Sequence, residues 1–135
     1  MVCVYCGHKT KVINSRRQLR NNRVWRRRSC PQCGAVFTTG EGADLALTHM
    51  VVTPRGLKPF KTEKLYSEVL LALQDLHEPY SEAQELTSTI IARLLKEGSE
   101  VIEPRLISKV TAEVLKRFSR QAWLRYSAEH PSLTV

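Results

Sequence analysis

Four cysteines, all within the first 33 residues, are the side chains whose spacing most clearly predicts chemistry. They form two pairs, Cys3-x2-Cys6 and Cys30-x2-Cys33, separated by 23 residues. A Cys-x2-Cys turn holds two thiolates at the separation that tetrahedral Zn²⁺ requires, and a second such turn completes the coordination sphere. Because four thiolates leave no position for water, we predict one structural zinc ion in a zinc ribbon or knuckle, and no chemistry at the metal.

Two other interpretations of these residues are open. The cysteines can form two disulfides, but no secretory signal is visible and disulfides rarely persist in a reducing cytosol. His8 is a competing ligand, although a surface histidine just after the first pair is the simpler interpretation. No apolar stretch approaches the ~20 residues of a membrane span, so we expect a cytoplasmic protein without membrane association.

Positive charge is concentrated in the same segment. Residues 1–40 contain nine Lys and Arg side chains and no Asp or Glu, whereas the remainder contains twelve basic and thirteen acidic residues. A dense positive field attracts polyanions, and counterion release makes binding to nucleic acid strongly dependent on salt. The alternative is a solvated basic surface without a partner, but a surface meant only for solubility usually mixes both signs of charge. Nucleic-acid binding is therefore the favoured prediction.

The elements that position these residues follow from local patterns. Short β-like runs at Lys11–Asn14 and Val24–Arg28 flank a turn at Leu19–Asn22, and Ala35–Thr39 predicts a third strand. Side chains alternate along a strand, so Arg26 and Arg28 should point one way and Arg27 the other way, with Trp25.

Beyond a loop at residues 40–42 the pattern changes to a hairpin and then to helices. Leu45–Val52 predicts a strand, Pro54–Gly56 a turn and Leu57–Phe60 a second strand. Apolar residues at helical spacing predict a helix of about 15 residues from Thr62. Further helix signals are a capping box at Ser81 and Gln84, a stop at Gly98, Pro104 in a first turn, and Ser119 as a cap.

The predicted fold class is α+β. A small zinc ribbon with four cysteine ligands, over residues 1–42, would bind nucleic acid, and a β-hairpin with a four-helix bundle would follow over residues 45–130. With every cysteine assigned to the metal, none remains for redox or radical catalysis, so we predict that the chain is not an enzyme.

Five short strings together resemble one family over nearly the whole chain. They are Thr10–Arg16, Val24–Arg28 just before Cys30, Phe37–Thr39 with Glu41, Pro59–Phe60 with Glu63–Leu65, and Arg105–Ile107. In order and spacing they are similar to the bacterial transcriptional repressor family of ribonucleotide reductase genes (NrdR), a zinc ribbon joined to an ATP-cone.

The resemblance implies a repressor that binds paired operator boxes in double-stranded DNA through the ribbon. It implies that residues 1–42 bind the DNA and that residues 45–130 form an ATP-cone-like domain for nucleotide sensing and oligomerisation. This cone would bind ATP or dATP and couple nucleotide level to a homo-oligomeric state. The metal ligands would be Cys3, Cys6, Cys30 and Cys33. The predicted DNA contacts are Arg16, Arg17, Arg26, Arg27 and Arg28. The predicted nucleotide contacts are Lys64, Arg55, Lys58, Lys61 and Val51.

The chain departs from the family at several positions. Asn14, Trp25 and Gly40 stand where the family usually has Asp, Arg and Phe, and Val52-Thr53 stands where it carries a basic residue that holds triphosphate. Lys64 taken alone is equally well explained as a solvated helix residue. The alternative function is therefore a zinc-ribbon interaction protein, or a reductase accessory protein, with a degenerate cone that no longer senses nucleotide.

Overall fold

A computed structural model describes residues 1–131 and divides the chain into two compact units, Met1–Ala43 and a second that begins at Asp44. The first unit holds an antiparallel sheet in the order β1-β2-β3, so that β2 lies between its neighbours. Its strands are β1 (Lys11–Gln18), β2 (Arg23–Ser29) and β3 (Val36–Glu41). The strands run longer than the sequence predicted because their backbone pairing continues through the arginine-rich segments.

The β1–β2 hairpin turns where the sequence predicted. Residues 19–22 form the turn, and Asn22 adopts a φ of +52°, a left-handed conformation that asparagine tolerates better than most side chains. The pairing register shifts between Val12 and Asn14, which marks a bulge at Ile13. Beyond this bulge, Arg16 lies opposite Trp25.

The second unit begins with a short helix where a strand was predicted. The helix α1 (Leu45–Thr48) is followed by β4 (Met50–Thr53), so the prediction of one strand over Leu45–Val52 is wrong in its first half. The cause is local, because the Asp44 carboxylate accepts a hydrogen bond from the Ala46 N–H and caps the turn. Leu45 is buried in the core of this unit.

The predicted hairpin is part of a larger sheet. Strand β4 pairs antiparallel with β5 (Gly56–Pro59) and parallel with β6 (Val101–Ile102), which lies in the chain between two helices. Two residues are too few for a sequence pattern to identify β6, and its pairing with β4 depends on chain that returns from a distance.

Helices form the rest of the second unit. They are α2 (Thr62–Ala72), α3 (Pro79–Lys96), α4 (Pro104–Phe118) and α5 (Arg120–Glu129). The starts of α2 and α4, the Ser119 cap of α5 and the stop at Gly98, whose φ is +72°, agree with the prediction.

Two helix boundaries were predicted wrongly. Helix α2 ends after 11 residues, because the chain turns at Leu73 instead of continuing to about residue 76. Helix α3 begins at Pro79, ahead of the expected capping box, since Pro79 occupies the first turn and Ser81 lies within it.

A single cluster of buried apolar side chains joins these elements. Helix α3 contributes Ile90 and α4 contributes Leu115, both with no exposed surface, and α2 contributes Val69. The fold is therefore a mixed α+β protein, as the sequence predicted. None of the helices in residues 1–131 has the length and apolar character needed to cross a lipid bilayer.

Candidate metal centre and nucleic-acid interface

Two turns of the same design carry the cysteines. In the first turn, the Cys3 N–H donates to the His8 carbonyl at 2.7 Å, and in the second, the Cys30 N–H donates to the Ala35 carbonyl at 2.9 Å. Each hydrogen bond closes a loop of six residues that carries one Cys-x2-Cys pair. The two pairs are therefore presented by equivalent backbone.

A glycine completes each turn. Gly7 and Gly34 directly follow the second cysteine of each pair, and their N–H groups donate to the Cys3 and Cys30 carbonyls at 2.9 Å. Their φ angles of +76° and +73° lie in the left-handed region, where glycine has no steric penalty. The repeated string Cys-x2-Cys-Gly was visible in the sequence and predicts this turn.

The four sulfur atoms have the geometry of a zinc site. The Cys3 and Cys33 sulfurs lie 3.7 Å apart, those of Cys6 and Cys30 lie 3.5 Å apart, and all four lie within 4.8 Å of one another. A tetrahedron with Zn–S bonds of about 2.3 Å has sulfur atoms about 3.8 Å apart. The cysteines are free and too widely separated for disulfide bonds of about 2.05 Å. The four thiolates therefore fit one tetrahedral ion, and the disulfide alternative is wrong.

Hydrogen bonding favours the thiolate of Cys30, which is the form that binds a metal ion. The Cys33 N–H donates to the Cys30 sulfur, and this contact lowers the pKa of the Cys30 thiol to about 6. His8 is exposed and, among residues 1–131, does not belong to the group of side chains that could hold a metal. A thiolate centre without histidine agrees with the predicted ligand set.

The basic side chains lie on two different faces of the ribbon sheet. Residues directly opposite each other in an antiparallel pair point to the same side. Arg16 lies opposite Trp25, and Asn14 and Thr38 both lie opposite Arg27. We call this side the open face, formed by Asn14, Arg16, Gln18, Trp25, Arg27 and Thr38. With Arg17, these residues line a groove of about 480 Å³.

Two arginines of the other face are held by internal contacts. Arg26 forms an ion pair with Glu41, the one acidic side chain in residues 1–43. The Arg28 guanidinium donates to the hydroxyls of Thr39 and Thr10, each at 3.4 Å. The alternation predicted within β2 is confirmed, and it separates Arg27 from Arg26 and Arg28.

A cavity in the second unit collects most of the residues predicted to contact nucleotide. Its volume is about 550 Å³, within the range of small-molecule sites. Val51 on β4, Lys58 on β5 and Lys64 in the first turn of α2 line it, as does Lys61 just before that helix. Arg55 is exposed in the β4–β5 turn and does not line the cavity.

The same cavity has a lining residue that the sequence did not identify as a site. His130, directly after α5, stacks on Tyr126 with ring centroids 4.1 Å apart, and its Nδ1–H donates to the Tyr126 carbonyl. Its Nε2 lies 4.0 Å from a carboxylate oxygen of Glu68 on α2. His130 reaches the cavity only because α5 packs against α2, so no local sequence pattern could identify it as a lining residue.

Together, the four-cysteine centre and its sheet define a zinc-ribbon protein with a basic open face and a second, cavity-bearing α+β unit. Residues 1–41 match the family model described as "Transcriptional repressor NrdR-like, N-terminal domain". The chain is also 30% identical to transcriptional repressor NrdR 3 of Paramagnetospirillum magneticum over 129 residues, which cover 95% of this chain and 84% of the relative. The chain belongs to the NrdR family. This is a family of transcriptional repressors and not of enzymes.

Proposed function

We propose that this protein is a zinc-stabilised repressor that binds operator boxes of ribonucleotide reductase genes through residues 1–43 and senses ATP and dATP with the second unit. The support comes from the family, from the arginine-lined open face and from the lysine-lined cavity. We propose that the protein acts in the cytoplasm, where a bacterial repressor binds its DNA.

The open face supports DNA binding because its cations are available. Arg16, Arg17 and Arg27 are exposed and line one groove, and no acidic side chain lines it with them. Guanidinium groups bind phosphate and guanine edges in bidentate geometry. Arg26 and Arg28 are part of the same proposal, but DNA must compete with Glu41 and the threonine hydroxyls for them.

Fluorescence anisotropy with a labelled reductase promoter duplex tests this interface. We expect Arg27→Ala to weaken binding at least about fivefold at moderate salt, and to reduce the slope of log K against log salt by about 0.9. Arg117→Ala is the matched control, because it removes the same charge from an exposed position on α4. Equal effects of the two variants would show that only net charge matters and would refute the proposed face.

The cavity supports nucleotide binding because three lysines converge on it. Lys58, Lys61 and Lys64 supply the positive charge, and apolar residues including Val51 and Ile107 supply a surface for a base. Lys64 lies in the first turn of α2, where the helix dipole also favours a phosphate. These lysines can replace the basic residue that is missing at Val52.

Calorimetric titration with ATP and dATP tests this site. Loss of one charge-assisted phosphate contact costs about 1.5 to 3 kcal/mol, so Lys64→Ala should weaken binding at least about tenfold. Arg55→Ala is the control, because it removes a positive charge close to the cavity but outside its lining. A larger loss with Arg55→Ala than with Lys64→Ala would contradict the assignment.

Coupling of nucleotide to assembly is the last part of the proposal. Several helices of the second unit expose large apolar side chains, including Leu71, Phe118 and Leu124, which could be covered by a second copy. Native mass spectrometry with ATP, with dATP and with promoter DNA should show different oligomers for different ligands. If nucleotide neither binds nor changes the mass, the protein is a constitutive DNA-binding protein with a degenerate cone.

A further inference from the structure

Trp25 occupies the centre of the open face. It lies on β2, the middle strand, directly opposite Arg16 on β1 and Gly40 on β3. Arg23 and Arg27 stand two residues away on the same strand and therefore on the same face. The Arg23 guanidinium lies 3.2 Å from the point that a Cβ on Gly40 would occupy, so glycine there leaves room for that arginine. Three arginines, Arg16, Arg23 and Arg27, therefore share the face on which the indole lies.

Packing within its own unit covers the indole only in part. The buried apolar side chains of residues 1–43 are Cys3 and Cys30, whereas Trp25 is 38% exposed. Among residues 1–131, the ring–ring and cation–ring contacts are made by other aromatic side chains, such as Tyr5 with Phe37. Trp25 also lines the groove directly, beside Arg16 and Arg27. Part of an aromatic ring is therefore open to a ligand in the middle of a cationic face.

The chemistry around the ring indicates which ligand would cover it. A polyanion bound by Arg16 and Arg27 would place phosphates on either side of the indole. Between the phosphates of a duplex lie deoxyribose carbons and, in the major groove, thymine methyl groups, which are apolar surfaces that complement an aromatic ring. Charge complementarity at the surrounding arginines thus favours a duplex over an apolar protein partner, which would leave those cations desolvated.

We propose that Trp25 is itself a DNA contact, with its ring against the sugar and base surface between phosphates bound by Arg16 and Arg27. This inference rests on the proposed DNA-binding function and adds a specific component to it. Arginine–phosphate contacts weaken as salt rises because they release counterions. Contact through an apolar ring releases none, so Trp25 supplies affinity that does not depend on salt.

Anisotropy measured over a range of salt concentrations separates the two kinds of contact. Trp25→Ala should weaken promoter binding by about tenfold at every salt concentration, because apolar contact area is lost, with the slope of log K against log salt unchanged. Arg27→Ala should reduce that slope by about 0.9. Trp25→Phe keeps an aromatic ring and most of the contact area, and should lose about threefold or less. Zinc content close to one per chain establishes that each variant retains its metal centre.

Intrinsic fluorescence provides an independent readout. In a Trp123→Phe background, Trp25 is the only tryptophan of the chain, and the substitution keeps an aromatic ring beside Lys116. Promoter DNA should change the Trp25 emission along the same binding curve as the anisotropy. A residue that only supports the sheet would change affinity without this spectral response.

The outcomes are separable. If the unmodified protein binds no duplex, the proposed function and this inference both fail. If it binds but Trp25→Ala stays within twofold, or the emission is unchanged at saturation, only the inference fails. A lower salt slope in Trp25→Ala would mean that the indole positions the arginines instead of touching DNA, which also overturns it.

Discussion

Removal of zinc should unfold the first unit and leave the second unit folded. The structure explains this selectivity, because every member of the main apolar core cluster lies at Leu45 or beyond, and the buried apolar side chains of residues 1–43 are the ligands Cys3 and Cys30. Without the ion, that unit has almost no buried surface to offset the conformational entropy of ordering its chain.

The size of the effect follows from typical energies. At about 0.05 to 0.15 kcal/mol per residue, the net stability of residues 1–43 is about 2 to 6 kcal/mol. Structural zinc supplies about 10 to 16 kcal/mol at neutral pH, so its loss exceeds the whole stability of the unit. The second unit owes its stability to apolar packing and should not respond.

Two-dimensional amide NMR with a strong chelator measures both units at once. We expect signals from residues 1–43 to collapse to random-coil positions while those of the helical unit stay in place, and zinc addition to restore them. In the Trp123→Phe background, the emission of Trp25 should shift to the red on chelation. Dispersed ribbon signals in a sample shown to be free of metal would refute the reasoning.

Other substitutions probe single features of the two units. Glu41→Gln removes the one side-chain carboxylate of residues 1–43 and releases Arg26 from its ion pair. Anisotropy should therefore show tighter DNA binding and a steeper slope of log K against log salt. Weaker binding would indicate that the ion pair is needed to keep the sheet in the conformation that binds DNA. Ile90→Ala leaves a cavity in the second core and should cost about 2 to 5 kcal/mol in urea unfolding with zinc content unchanged. Ser119→Ala removes the hydroxyl that accepts from the Ala122 N–H and should lower the free energy of unfolding by about 1 kcal/mol, whereas Ser119→Asp should retain most of the stability.

Long-range pairing explains which features the sequence left open. The two Cys-x2-Cys turns, the turn at Asn22, the first-turn proline Pro104 and the Ser119 cap depend on residues close together in the chain, so local patterns predicted them. Strand β6 and His130 depend on partners far away, on β4 and α2, and no local pattern could place them. The short helix at Leu45 was missed because β-compatible residues were read without the Asp44 cap.

By itself, the sequence determined the metal, the excess of positive charge beside it and the alternation of Arg26 and Arg27 along one strand. These properties follow from residue spacing and composition, so they do not depend on how the other elements pack. Tertiary structure alone decided that Arg16 stands opposite Trp25 and that Glu41 reaches Arg26, because cross-strand register is fixed by pairing. The folded sheet therefore decides which arginines are available for the proposed DNA contacts.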